Sequence, residues 1–299
     1  MALSLSWDAP ATTARDDVWH TGAVHIDILG SISIVAADSR TELRAGKIRS
    51  MLAVLALKAG NTVYYNELTE ELWPGELLKN PRNAIQAQAT RIRKTMEKCT
   101  DGIGEPIELR AVQNGYVLDI SRDAVDANRF LDYTTRGFSD LAVDPVRALQ
   151  SLQQGLRLWR GPALLNTHAG ERCRSAAAFL EEQRILAWED LVSAHLLLGN
   201  NRQAIVELQR LVAADPSREH LCGLLMLALY RTGRQSDALH LFHRTRQRLD
   251  TELGVEPGRA LSRLYESILA QDSTLDSAAA VLRRAEVDPR PVTKNRLTA

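Results

Sequence analysis

The sequence predicts a mostly helical chain with a small β component. It reads as an N-terminal winged helix-turn-helix of the response-regulator type followed by an all-α, tetratricopeptide-like domain. Three observations predict this: a capped amphipathic helix from Asn80 that runs into a hairpin, the order of elements around it, and a helical repeat of 34 residues further on.

Residues 1–22 carry no periodic pattern and are expected to form a disordered arm. His25 to Leu29 and Ile32 to Val35 then alternate around Gly30, as a short antiparallel pair would. Lys47 to Ala59 reads as an apolar helix carrying Ile48, Met51, Leu52, Leu55 and Ala56, closed by Gly60 where positive φ is tolerated. A second helix is expected from Asn66 to Trp73. The third starts plainly, with Asn80 as N-cap and Pro81 at the first helical position. At about 100° per residue, Ile85, Ala89, Ile92 and Met96 share one face, while Asn83, Gln86, Ala87, Thr90, Arg91, Lys94 and Lys98 lie opposite or beside it. Strands around Leu109 and Tyr116 follow, with Asn114-Gly115 as the turn signal. Strands, three helices and a hairpin, in that order, make residues 23–122 a winged helix-turn-helix.

After Asp126 the strand signals vanish, and helical periodicity defines a second domain over 126–272. Asp144-Pro145 caps a helix that runs to Trp159. Gly199 and Gly233, Ala204 and Ala238, and Leu208 and Phe242 are each 34 residues apart, the period of stacked helix pairs. Glycine falls at the inter-helix turn, alanine where helices approach, and the large apolar residue across the groove. Residues 273–299 are expected to be a disordered tail with at most one short helix near Val281 to Ala285.

With 299 residues, 45% hydrophobic and 25% charged, the chain has material for two globular domains. It has no apolar run of about 18 residues and no basic leader before an apolar stretch, so no membrane partner is expected and the cytoplasm is the default compartment. Cys99, Cys173 and Cys222 are far apart, without the spacing of a zinc ribbon or disulfide framework. His168, His195, His220, His240 and His243 have no carboxylate or cysteine at ligand spacing, so no metal or cofactor is expected. Phosphate-loop, nucleophile-elbow, zinc-protease and dinucleotide motifs do not occur, which argues against an enzyme. The net charge is zero, but the charge is sorted: Glu67, Glu70, Glu71 and Glu76 precede the third helix, and Arg82, Arg91, Arg93, Lys94 and Lys98 fall within it. A neutral chain can still hold nucleic acid on one basic face.

Amides, a hydroxyl, a methyl and cations are the groups that meet base edges in the major groove. Asn83, Gln86, Ala87, Thr90 and Arg91 are therefore assigned to base reading. Arg82, Arg93, Lys94 and Lys98 flank that face and are assigned to phosphates, and Lys47 and Arg49 add their charge to the positive end of the first helix. Trp73, Tyr116, Trp159 and Trp188 read as core.

Leu158-Trp159-Arg160-Gly161-Pro162-Ala163-Leu164, Met226 to Gln235 and Glu252-Leu253-Gly254-Val255-Glu256-Pro257-Gly258 resemble signatures of the bacterial transcriptional activator domain. Behind a winged helix, they make His25 to Gln271 similar to the Streptomyces antibiotic regulatory proteins, in their small form. The resemblance implies a pathway-specific activator of an antibiotic gene cluster. Such proteins bind direct repeats in double-stranded promoter DNA, as a homodimer or tandem pair, and recruit RNA polymerase holoenzyme through its sigma factor. It further implies wing contacts to phosphate by Arg110, Gln113 and Asn114, although Ala111 and Gln113 depart from the threonine and proline of many relatives. It places Glu67, Glu70, Glu71 and Glu76 near polymerase. The rival reading is a protein-interaction adaptor whose wing no longer sees specific DNA. An enzyme comes third.

Overall fold

The computed structural model describes residues 24–36, 39–100, 107–167 and 170–285; the expected arm, 1–22, and the last residues of the expected tail, 286–299, lie outside these. The described chain divides into two compact units, one of residues 24–134 with 154–185, the other of 135–153 with 186–285. The opening of the predicted helical domain belongs with the strands and first three helices.

In the first unit, β1 (His25–Asp27), β2 (Ser33–Ala36) and β3 (Ser39–Glu42) form an antiparallel sheet in that order. The third strand has no counterpart in the sequence reading, because Ser39-Arg40-Thr41-Glu42 lacks apolar alternation; it pairs along β2 as an exposed edge. Three helices follow: α1 (Gly46–Leu57), α2 (Tyr65–Leu72) and α3 (Pro81–Thr100). Between the first two lies β4 (Thr62–Tyr64), which joins β5 (Glu108–Val112) and β6 (Gly115–Asp119) in a second antiparallel sheet of order β4-β6-β5. Ile85, Ala89, Ile92 and Met96 of α3 are all buried, as are Met51, Leu52 and Leu55 of α1 and Leu68 and Leu72 of α2. The apolar stripe predicted for α3 is thus a core face, whereas α1 is buried on all sides from Ser50 to Leu57 and its expected core residue Ile48 is half-exposed.

Both β1 and β2 are buried along their whole length. The segment carrying the first family motif bonds to the turn that joins them. Arg160, Leu164 and Leu165 donate backbone N–H groups to the carbonyls of Leu29, Ile28 and Gly30, at 2.9, 2.8 and 3.0 Å. Asp126, fully buried at the start of α4 (Asp126–Asp140), accepts from the backbone N–H groups of Ile28 and Leu29 at 2.8 and 3.0 Å and from Arg160 Nη2 at 2.6 Å. Arg160 also reaches Asp27, 3.5 Å away, and Asp27 pairs with Arg40 at 2.7 Å. A carboxylate removed from water is tolerable only with partners of this kind. Gly30, at φ +144°, is required here: a Cβ would stand 3.1 Å from Arg160 Cβ. Trp159 packs edge-on against Phe130 with ring centres 5.2 Å apart.

The remaining helices are α5 (Pro145–Arg157), α6 (Glu171–Leu197), α7 (Asn201–Ala214), α8 (Glu219–Arg231), α9 (Gln235–Leu253), α10 (Arg259–Leu269) and α11 (Ala278–Ala285). In the second unit Gly199 and Gly233 take φ +75° and +78° at the turns between helices. Ala204 and Ala238 are fully buried one turn later, and Leu208 and Phe242 lie behind them. Within residues 273–285 the short helix expected near Val281 to Ala285 is α11, while the ordered turn before it departs from the expected disordered tail. A 3-10 turn, Ser273–Asp276, leads into α11, and Leu275 and Val281 are buried. Arg231, from the second family motif, holds this segment by donating to the carbonyls of Leu275 (2.8 Å) and Ser277 (2.6 Å), and to that of Leu196 (3.1 Å).

Candidate nucleic-acid interface

Asn80 Oδ1 accepts the backbone N–H of Asn83 at 3.1 Å, the N-cap bond that starts α3. With one face of α3 committed to the core, Asn83, Gln86, Ala87, Thr90, Arg91 and Lys94 are exposed on the other, as is Lys98 in the last turn. Thr90 Oγ1 donates to the Gln86 carbonyl at 2.9 Å, which fixes the hydroxyl and leaves its lone pairs outward. Amides, a small methyl, an oriented hydroxyl and cations therefore share one surface.

Two of the expected phosphate ligands have other work. Arg93 donates through Nε and Nη2 to the Leu109 carbonyl, at 2.9 and 2.8 Å, and its guanidinium lies 5.6 Å from the Tyr116 ring centre. It ties α3 to the hairpin. Arg49 donates through Nη1 to the carbonyls of Leu43 and Arg44, at 2.9 and 2.7 Å, and through Nε to that of Asn166 at 2.7 Å. Both side chains are half-buried, and neither is an open cation. Lys47 is half-buried, with its ammonium 4.5 Å from the ring centre of Trp73, a buried residue.

The hairpin turn also differs from expectation. Val112 pairs with Gly115, so Gln113 and Asn114 form the two-residue loop and Gly115 is already in β6. Gly115 is needed for close approach rather than for turn geometry, since a Cβ there would fall 2.0 Å from the Val63 carbonyl oxygen. Gln113 and Asn114 are exposed at the tip. Arg110 is exposed and pairs with Asp119 across the hairpin at 2.9 Å. Arg82 lies with its guanidinium 5.0 Å from the Tyr65 ring centre. Tyr64 and Asn66 are exposed beside it at the start of α2; nothing in the sequence marks them, because a polar helix start reads as an ordinary cap.

The acidic set divides. Glu70 and Glu76 are exposed, but Glu67 and Glu71 are buried and bonded within the chain, which corrects their expected role as polymerase contacts. Glu71 accepts the backbone N–H groups of Arg172 and Cys173, at 2.9 and 3.1 Å, and so caps α6 from another helix. Gly170 leaves room for it. Burial and this carboxylate push the Cys173 thiol well up, so it stays protonated. Glu67 accepts from Lys58 Nζ at 2.8 Å and from the Tyr64 N–H at 2.9 Å, and pairs with Arg172 at 3.0 Å. Burial alone would raise its carboxyl, but the Lys58 and Tyr64 bonds and the charges of Lys58 and Arg172 outweigh it and hold the group below the usual range. Among the described residues no cluster of metal-ligating side chains occurs, and no helix is long and apolar enough to cross a membrane.

The Bacterial transcriptional activator domain family matches residues 125–269. The chain is 48% identical to the transcriptional regulator RedD of Streptomyces coelicolor over 88% of this chain and 75% of that protein. It is 34% identical to the regulatory protein DnrI of Streptomyces peucetius, over 85% of this chain and 94% of the other. Among solved structures, Mycobacterium tuberculosis EmbR, in complex with a low-affinity phosphopeptide, matches with a TM-score of 0.81 at 29% identity, covering 88% of this chain and 69% of that one. A mostly helical chain with a small sheet component and these relatives is a transcriptional regulator. It belongs to the Streptomyces antibiotic regulatory protein family, whose members activate antibiotic gene clusters.

Proposed function

We propose that the chain is a sequence-specific activator whose first unit is a winged helix-turn-helix, with α3 lying in the major groove of promoter DNA and the β5–β6 hairpin as its wing. The observation that carries this reading is the exposed face of α3, where Asn83, Gln86, Ala87, Thr90 and Arg91 stand opposite a buried apolar stripe. In this reading those five meet base edges, and Arg82, Lys94 and Lys98 with Arg110, Gln113 and Asn114 of the hairpin meet phosphates, while Lys47 adds charge at the start of α1. A single wing covers a short site, so two copies on direct repeats about one helical turn apart, roughly 10 to 10.5 base pairs, supply the specificity. The DNA-bound pair recruits RNA polymerase holoenzyme through its sigma factor, with exposed Glu70 and Glu76 available to a basic partner surface.

Footprinting with the full chain on promoters of antibiotic genes tests this. Repeated half-sites protected on one face of the duplex are expected, and an insert of about five base pairs between them rotates one copy by half a turn and should abolish cooperative binding and activation. Undiminished cooperativity with that insert overturns the tandem arrangement. Absence of any protected site overturns DNA binding itself.

A further inference from the structure

Where the starts of α2 and α3 meet the tip of the hairpin there is a recess of about 480 Å³ lined by Tyr64, Tyr65, Asn66, Arg82 and Asn114. We propose that this recess seats one phosphodiester of the DNA backbone and so fixes the register in which α3 enters the groove. The proposal rests on the DNA-binding reading and adds Tyr64 and Asn66 to the residues involved.

The lining holds a guanidinium, two carboxamides and two phenols, and no carboxylate. Arg82 is held over the Tyr65 ring, 5.0 Å from its centre, so its planar donors are placed before any ligand arrives. Tyr65 is itself fixed, edge-on to buried Tyr116 at 5.8 Å, and its N–H donates to the Asn114 carbonyl at 2.9 Å, which pins the hairpin tip to the start of α2. Asn66, in the first turn of that helix, and half-exposed Tyr64, its N-cap, carry further donors. The positive end of its dipole adds to Arg82 in favouring an anion. The acid in the same turn, Glu67, does not oppose this, since Lys58 and Arg172 neutralise it. A polar, cationic recess beside the exposed face of α3 fits the phosphate that flanks a groove being read.

The test uses the full chain and a duplex it selects from random-sequence DNA. Arg82→Ala and Asn66→Ala should each weaken binding about tenfold, the scale of a charge-assisted hydrogen bond. Arg82→Ala should also make the salt dependence shallower by about one unit. A scan placing one neutral methylphosphonate at a time should find one linkage whose neutralisation weakens the parent protein but has no further effect on Arg82→Ala. This coupling compares two duplexes on the same protein sample, so a partly folded variant cannot imitate it. If the recess variants bind like the parent while Lys94→Ala and Thr90→Ala bind worse or less selectively, the recess is not a phosphate seat although DNA binding stands. A scan in which no linkage couples to Arg82 overturns the phosphate seat in the same way. If no duplex is selected at all, the DNA-binding reading fails and the recess proposal with it.

Discussion

Arg93 and Lys94 are neighbours of like charge, and the sequence offers no reason to separate them. Their positions on α3 do. Arg93 lies beside the hairpin and gives two N–H groups to one backbone carbonyl, whereas Lys94 is exposed. Arg93→Ala should cost about 1 to 3 kcal/mol of stability, because the Leu109 carbonyl is left without its partner. Lys94→Ala should leave thermal unfolding unchanged and flatten the salt dependence of DNA binding by about one unit. Equal unfolding temperatures for the two variants would count against the separation. Glu67 gives a second test through pH. Its folded-state carboxyl lies below the usual 4.5, so the folded chain binds that proton more weakly than the unfolded chain. Its contribution to stability is therefore present above about pH 4.5 and is lost as the pH falls through the lower folded value. Glu67→Gln should lower the unfolding temperature at neutral pH, and the gap from the parent should close in acid. A gap of constant size from pH 7 to pH 3 would show that the charge is not what matters.

Helix faces were readable because burial repeats with the helical period: Ile85, Ala89, Ile92 and Met96, and the pairs Gly199 with Gly233 and Ala204 with Ala238, lie where the spacing put them. The contacts that lock elements together were not, because they join residues distant in sequence with no periodic trace. Asp126 reaches Ile28 across 98 positions, and Arg231 reaches Leu275 across 44. The same limit explains the tail, where a 3-10 turn with one buried leucine has no pattern to recognise. It also explains Gly115, which looks like a turn glycine beside Asn114 but serves the packing of β4 on β6. Gly115→Ala should therefore destabilise the second sheet by about 1 to 3 kcal/mol, as overpacking does. Gly60→Ala has no atom within 4 Å of the added Cβ, only the strain of φ +73°. Chemical denaturation of both variants checks this: Gly115→Ala should be the more damaging, and the opposite order would mean that the close approach relaxes without cost.

The family motifs acquire a physical meaning once the whole chain is considered. The Trp159-Arg160 motif lies inside the predicted helical domain, yet it ties down the turn between the first two strands. Its backbone N–H groups meet the carbonyls of Ile28, Leu29 and Gly30, while its guanidinium and Asp126 neutralise one another beside Asp27. A fragment ending at residue 122 keeps every strand and helix of the predicted winged helix-turn-helix but loses these partners. The N–H groups of Ile28 and Leu29 then lack the Asp126 carboxylate, Asp27 lacks Arg160, and Ile26 of β1 loses its bridge to Val125. Each buried polar group left unpaired costs about 1 to 3 kcal/mol, comparable to a good part of the stability of a small domain. Hydrogen exchange distinguishes the outcomes. In the full chain the Ile28 and Leu29 amides should exchange slowly, and in the 1–122 fragment they should exchange orders of magnitude faster than those of Ile92 and Met96 in α3. Equal protection of Ile28 and Leu29 in fragment and full chain would show that the first sheet stands without the motif, and that Arg160 and Asp126 serve some purpose other than closing it.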